Sequence, residues 1–374
     1  MKQTKILLVA NVTKEHVLKF HLPTIKKLKE EGWIVDVASG GAENIPYCDR
    51  HIILPIDRSP FKGNMIKGIS LLKKEIAENS YDIVYCHTEV GGIVGRLAAR
   101  TFRKKGVKVV KLDHGFYFYK GASWLTWAIH YPIDKLLSKI TDTFITINKE
   151  DYDVVNKHFK SCKSFIIDGI GVDPSRFVID NREQVRMEYR KNMNIPQNAI
   201  VLVYLAELIE NKNQTFLMDA LKQALCKRKD IYLVLAGIDH TEGRFEKYAE
   251  EIGIKNNVRF LGWRSDVNNL YAMSDICTAS SIREGFGLNL VEAMYCDLPV
   301  IASKNRGHAT IIRDGENGFL VNLGDVSEFA NRIVLLAANA DLRKQFVEVS
   351  NKEITKFSSD TIVTKLYNIL KGEL

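Results

Sequence analysis

The chain is short of several things, and each absence excludes a class of protein. Its six cysteines (Cys48, Cys86, Cys162, Cys226, Cys277, Cys296) form no Cys-x-x-Cys pair, which argues against a zinc ribbon and for reduced thiols in a cytosolic protein. No apolar run is long enough to cross a bilayer. The first one, Ile6-Leu7-Leu8-Val9-Ala10, is also too short for a signal peptide and suits a buried strand. No Gly-x-Gly-x-x-Gly follows that strand, which disfavours a nicotinamide dehydrogenase. There is no internal repeat and no low-complexity tract. The second half has no charge surplus: residues 181–374 carry 25 Lys+Arg and 25 Asp+Glu, whereas residues 1–180 carry 28 against 20, a surplus of 8. The basic half is therefore expected to meet an anionic partner, and an anionic membrane face fits the rest of the sequence where a nucleic acid does not.

What the chain does have is an alternation of apolar strand-like runs with helical stretches. Strands are expected near residues 5–10, 33–38, 51–54, 82–86, 107–111, 143–147 and 164–167. A second series is expected near 200–205, 232–236, 258–261, 275–279, 299–302 and 319–321. At 374 residues the chain exceeds what one core usually supports. The expected fold class is therefore α/β, with two doubly wound Rossmann-like domains facing a cleft. Residues 1–168 make the first domain and 169–357 the second. The last segment, from Ser358, has apolar residues at Ile362, Val363, Leu366, Ile369 and Leu370, the stripe of a terminal helix. Asp168-Gly169-Ile170-Gly171-Val172-Asp173-Pro174 carries the glycines and proline of a domain crossing.

The segment richest in chemistry is Arg283-Glu284-Gly285-Phe286-Gly287-Leu288-Asn289-Leu290-Val291-Glu292. It follows an apolar strand and leads into a helix. Gly285 and Gly287 allow close backbone approach, and a helix N-terminus favours an anion such as a diphosphate. Carboxylates beside a phosphate make sense as acceptors for neutral hydroxyls, so Glu284 and Glu292 are read as holding sugar and ribose.

The pattern of Glu, seven residues, Glu resembles the signature of retaining family 4 glycosyltransferases of the GT-B fold. So does the turn Arg313-Asp314-Gly315-Glu316-Asn317-Gly318. The form Glu207-Leu208-Ile209-Glu210-Asn211-Lys212-Asn213, the set His16, Phe20, His21, Cys86-His87-Thr88, and the run from His114 to Gly121 are similar to an exopolysaccharide and capsule branch.

The resemblance implies a first domain for the acceptor, onto which the terminal helix of 358–374 crosses back, and a second for the donor. It gives Lys212 the diphosphate, His114 the transferred sugar, and the backbone from Gly262 to Arg264 the base. The turn Gly285, Phe286, Gly287 and Leu288 would line the donor. Glu207 stands where the family has arginine, so one diphosphate contact must come from elsewhere. The implied donor is a nucleotide sugar, UDP rather than GDP, and the implied acceptor a lipid-linked saccharide.

Nothing is read as an Asp-x-Asp cation site, so neither a metal nor a further cofactor is expected. The aromatic and basic stretch from Phe116 to Lys139 points to peripheral docking on the inner membrane leaflet. Two other readings stand beside this one, a nucleotide-sugar epimerase of the same architecture and a non-catalytic partner of a transferase.

Overall fold

Ile200-Val201-Leu202-Val203-Tyr204-Leu205 shows how the strands arise: six consecutive residues free of glycine and proline, the first five buried. A parallel sheet covered on both faces selects such unbroken apolar runs. The computed structural model describes residues 3–57 and 64–374. In it, β1 (Lys5–Val9), β2 (Ile34–Ser39), β3 (Arg50–Ile53), β4 (Ile83–Cys86), β5 (Lys108–Asp113), β6 (Thr143–Thr146) and β7 (Lys163–Ile166) form one sheet, in the order β3-β2-β1-β4-β5-β6-β7. The other sheet contains β8 (Ile200–Leu205), β9 (Ile231–Ala236), β10 (Val258–Phe260), β11 (Ile276–Ala279), β12 (Val300–Ser303) and β13 (Gly318–Val321), in the order β10-β9-β8-β11-β12-β13. Neighbouring strands are parallel throughout.

Both orders reverse at one place, between β1 and β4 in the first sheet and between β8 and β11 in the second. Open α/β sheets bind ligands outside the carboxyl ends of the strands at such a switch point.

The chain divides into two compact units, Met1–Gly171 with Ser359–Leu374, and Val172–Ser358. Gly171 has φ +86°, and a methyl group there would lie 2.7 Å from Ser359 Cα, so glycine is required on both counts. One residue on, Val172 N–H donates to Phe357 O at 2.9 Å.

In the first unit, the helix Glu89–Ala99 packs closely on β1 and β4. A methyl at Gly95 would come 2.5 Å from Cys86 Sγ. The segment after β1 is a π-helix, Thr13–His21, followed by the α-helix Leu22–Glu30. The helix Ser359–Lys371 lies against Leu22–Glu30 and buries Ile362, Val363, Leu366 and Leu370. Glu373 beyond it takes hydrogen bonds from Thr143 Oγ1 (2.8 Å) and Lys163 Nζ (2.9 Å).

In the second unit, Arg190 is fully buried. Its guanidinium donates to Met273 O, Gln197 O and Ala199 O and pairs with Asp275 at 2.8 Å. Asp275 also takes Arg186 at 2.7 Å and the Val201 N–H at 2.7 Å, so the buried charge is balanced and bonded.

Candidate functional site

The loops after β8 and β11 leave the second sheet on either side of its switch point, and hydrogen bonds stitch them together. Ser280 Oγ donates to Lys212 O at 2.7 Å, and Tyr204 OH lies 2.7 Å from Ser281 Oγ. Asn211 Nδ2 donates to Arg283 O at 3.0 Å, and Ile282 N–H donates to Asn211 O at 2.8 Å. The short 3₁₀ turn Glu210–Lys212 is thereby fixed against residues 280–284. On this frame the Lys212 ammonium forms an ion pair with Glu284. Burial pushes the Glu284 carboxyl up, but Lys212, His308 and the Ser281 hydroxyl outweigh it, and the group sits below the ordinary glutamate value.

Gly287, at φ +128°, turns the chain into the helix Leu288–Tyr295. A methyl there would lie 3.1 Å from His308 Cδ2, so the turn is both left-handed and crowded. The first N–H groups of this helix have no intrahelical acceptors, and its positive end adjoins the Glu284 turn. The loop after β12 closes against the same turn. A methyl on Gly307 would come 2.5 Å from Phe286 O and 2.8 Å from Glu284 Cβ.

His308 follows, fully buried, with Nδ1 2.7 Å from Ser303 O and Nε2 lacking a hydrogen-bond partner. Burial lowers its pKa against the opposing pull of Glu284 and the Ser303 carbonyl. Nothing in the local pattern around His308 shows that this loop returns to Glu284.

Glu292 stands in the second turn of the helix, 3.2 Å from Tyr271 OH, which also lies 3.0 Å from Asn289 O. Leu288 opens the helix and is partly exposed, and Gly285 is likewise partly exposed within the turn. Phe286 departs from the expectation. Its ring is buried, edge-on to Phe357 at 5.6 Å, so only its backbone can line a ligand site.

Gly262 has φ +62°, and its carbonyl already accepts the Gly237 N–H at 2.8 Å. Arg264 is held by Asp266 through contacts of 2.8 and 2.5 Å, with Tyr189 OH 2.6 Å from the same carboxylate. The backbone of 262–264 and the exposed Trp263 ring remain available for recognition. Glu207 is exposed, 3.9 Å from His240 Nε2. Arg306 precedes Gly307 in the loop packed on the Glu284 turn.

His114 belongs to the first unit, just beyond β5. Its ring lies 4.7 Å from that of His16 and 5.3 Å from that of His21, and its Nε2 is buried without a hydrogen-bond partner. Asp113, its neighbour in sequence, is engaged by Lys111 Nζ (3.0 Å) and the Gly115 N–H (2.9 Å). Asp151-Tyr152-Asp153 does spell Asp-x-Asp, but on the helix Lys149–His158. There Asp151 takes Asn148 Nδ2 at 2.7 Å and Asp153 pairs with Lys149, so both acids serve the helix end.

Residues 185–353 match the family described as glycosyl transferases group 1, and residues 5–148 match the family described as glycosyl transferase 4-like. The putative glycosyltransferase EpsD of Bacillus subtilis is 42% identical, over 98% of this chain and 96% of its own length. The UDP-Gal:alpha-D-GlcNAc-diphosphoundecaprenol alpha-1,3-galactosyltransferase of Escherichia coli is 27% identical, over 91% of this chain and 87% of its own. Among solved structures, Anabaena HepE in complex with UDP and glucose superposes with a TM-score of 0.80 at 21% identity. That match covers 99% of this chain and 100% of HepE, and it shows the shared fold.

Proposed function

Because this chain belongs to the family 4 glycosyltransferases of GT-B fold, we propose that it carries a hexosyl or N-acetylhexosaminyl group from a UDP-sugar to a lipid-linked saccharide, retaining the anomeric configuration, in bacterial cell-surface polysaccharide synthesis. One observation carries the reading: the Lys212–Glu284 pair stands at the switch point of the second sheet, beside the N-terminus of the helix Leu288–Tyr295. A cation and a helix N-terminus converging on one place suit a diphosphate.

In this reading the bond from the anomeric carbon to the diphosphate breaks as the acceptor oxygen bonds on the same face. The departing phosphate oxygen takes the acceptor's proton. Lys212 and the helix N-terminus stabilise the charge that gathers on the diphosphate, a form of support that is often the largest catalytic contribution. Glu284 accepts from donor-sugar hydroxyls and Glu292 from the ribose. His114 contacts the transferred sugar, and the backbone of Gly262 to Arg264 reads the base. The UDP complexes of HepE support the choice of nucleotide, and the name of the Escherichia coli relative supports a lipid-linked acceptor.

Such an acceptor would be met at the inner leaflet of the membrane, by a protein bound to its cytoplasmic face. Among the described residues no helix is long and apolar enough to cross a membrane. The helix Trp124–Ser138 instead exposes large apolar side chains, Trp124 at 79%, Leu136 at 63%, Leu125 at 53% and Ile129 at 46%. Lys135 and Lys139 sit at its end, an arrangement that suits lying in an anionic interface.

Calorimetry with UDP and GDP, followed by transfer from UDP-sugars to a diphosphate-lipid saccharide and NMR of the product, tests the proposal. Selective UDP binding and an axial-linked product from an axial donor are expected. An inverted product, or no affinity for any nucleotide sugar, would overturn it.

A further inference from the structure

Four histidines of the first unit, His16, His21, His87 and His114, bring one ring nitrogen each into a group whose members all lie within 4.8 Å of one another. They come from the segments that follow β1, β4 and β5, at the switch point of that sheet. His16 Nε2 and His21 Nε2 are 3.0 Å apart. The His21 ring lies 3.9 Å from that of His87. His87 is fully buried, and neither of its nitrogens has a hydrogen-bond partner; the same holds for Nε2 of His114. Buried imidazole nitrogens that bond to nothing are costly, so a missing partner is the physical question the cluster poses.

The backbone is shaped to make this cluster. His16 and His21 are five residues apart, a spacing that in an α-helix, at 3.6 residues per turn, would splay the two rings well apart. The π-helix Thr13–His21, with Val17 N–H reaching back to Val12 O, puts them on one side. π-Helical turns are rare and gather at functional sites. Next to His87, Thr88 is held at φ +57°, costly for a β-branched residue. Its Oγ1 donates to His87 O at 2.6 Å and accepts the Asn11 N–H at 3.2 Å, tying the turn after β4 to the turn after β1.

We infer that His16, His21, His87 and His114 bind one divalent transition-metal ion of the zinc type. The sequence reading expected no metal, and the family match assigns none. Four neutral imidazoles are a zinc-class donor set, and tetrahedral ligands at about 2.0–2.1 Å from zinc stand roughly 3.3 Å from one another, close to the His16–His21 separation. Lys111 is the nearby cation. Its Nζ is taken by Asp113 (3.0 Å), Thr88 O (2.9 Å) and Leu112 O (3.0 Å), so its charge is matched by a carboxylate. An ion held through Nε2 would fix the His114 ring and leave Nδ1 as its nitrogen for a sugar hydroxyl.

The test uses untagged full-length protein, without donor or acceptor, so its outcome is separate from that of the transfer reading. Zinc content is measured after purification without chelator, and Co(II) is titrated into chelator-stripped protein. The expected result is one equivalent per chain and the intense visible absorption of tetrahedral Co(II). His16→Gln, at a partly exposed position, should weaken binding by about 100-fold or more with an unchanged circular dichroism spectrum. His87→Gln is the second variant. Substoichiometric zinc, a pale octahedral Co(II) spectrum, or equal uptake by wild type and His16→Gln would overturn the inference.

Discussion

Lys212 and Glu284, 72 positions apart in sequence, pair beyond the ends of the adjacent strands β8 and β11. The carboxylate both aims the ammonium and tempers its charge, so the two residues should fail differently. Lys212→Ala removes the cation that faces the departing diphosphate. It should lower kcat by about 10²- to 10³-fold, read from steady-state transfer at saturating donor. Glu284→Gln should also lower kcat, with UDP affinity retained. Unchanged kcat in Lys212→Ala would remove it from the reaction.

Glu292 is assigned to the ribose. Losing a hydrogen bond to a charged acceptor costs roughly 1.5–3 kcal/mol, or about 10- to 100-fold in affinity. Calorimetry of Glu292→Gln with UDP alone should show this loss, since the sugar takes no part in that contact. Equal UDP affinity in the two proteins would refute the ribose assignment.

Asp266 gives a pH-dependent prediction. Hydrogen bonding from Arg264 comes first among the causes that draw its carboxyl down to about 2. A carboxyl lowered on folding adds stability that is complete above its unfolded value of about 3.9 and is lost as pH falls through the folded value. The gap in melting temperature between wild type and Asp266→Asn should therefore be full near neutral pH and close between about pH 4 and pH 2. A gap that is constant across this range would contradict the assignment.

Arg190→Ala would leave Asp275 with Arg186 and one N–H, Met273 O with Arg186, and the buried Ala199 carbonyl without its guanidinium donor. Breaking a buried, bonded charge pair typically costs about 3–5 kcal/mol. Urea denaturation should show a loss of this size, against a small effect for Arg186→Ala at a partly exposed position.

Trp124→Ser combined with Leu136→Ser removes two large exposed side chains from one helix. At about 1.5–3 kcal/mol for each buried apolar side chain, affinity for anionic vesicles should fall by 100-fold or more. Transfer to a water-soluble acceptor should be unchanged. Undiminished sedimentation with vesicles would place the membrane contact elsewhere.

The strands are legible in the sequence because both faces of each sheet are covered, so burial follows from unbroken runs such as Ile200–Leu205. The positions of Lys212 and Glu284 after strand ends, and of Glu292 on the helix that follows, are legible because short segments fix each of them relative to a strand end. The histidines at 16 and 308 are not. Thr13, Val17 and His21 are the buried positions of their segment, a spacing of four that does not distinguish a π-helix from an α-helix. His308 reaches Glu284 only through the return of the loop after β12. Phe286 illustrates the reverse case, where a motif suggests a ligand contact but packing against Phe357, distant in sequence, takes the ring.

The helix Ser359–Lys371 also bears on biosynthesis. It is translated after every residue of Val172–Ser358, yet it caps the Leu22–Glu30 helix and brings Tyr367 to 5.9 Å from Trp33. The nascent amino-terminal lobe must therefore wait, with an apolar groove uncovered, while the ribosome makes the whole of the other lobe. During that interval it is open to aggregation or chaperone capture, and a stop codon before position 359 would damage the end of the protein synthesised first.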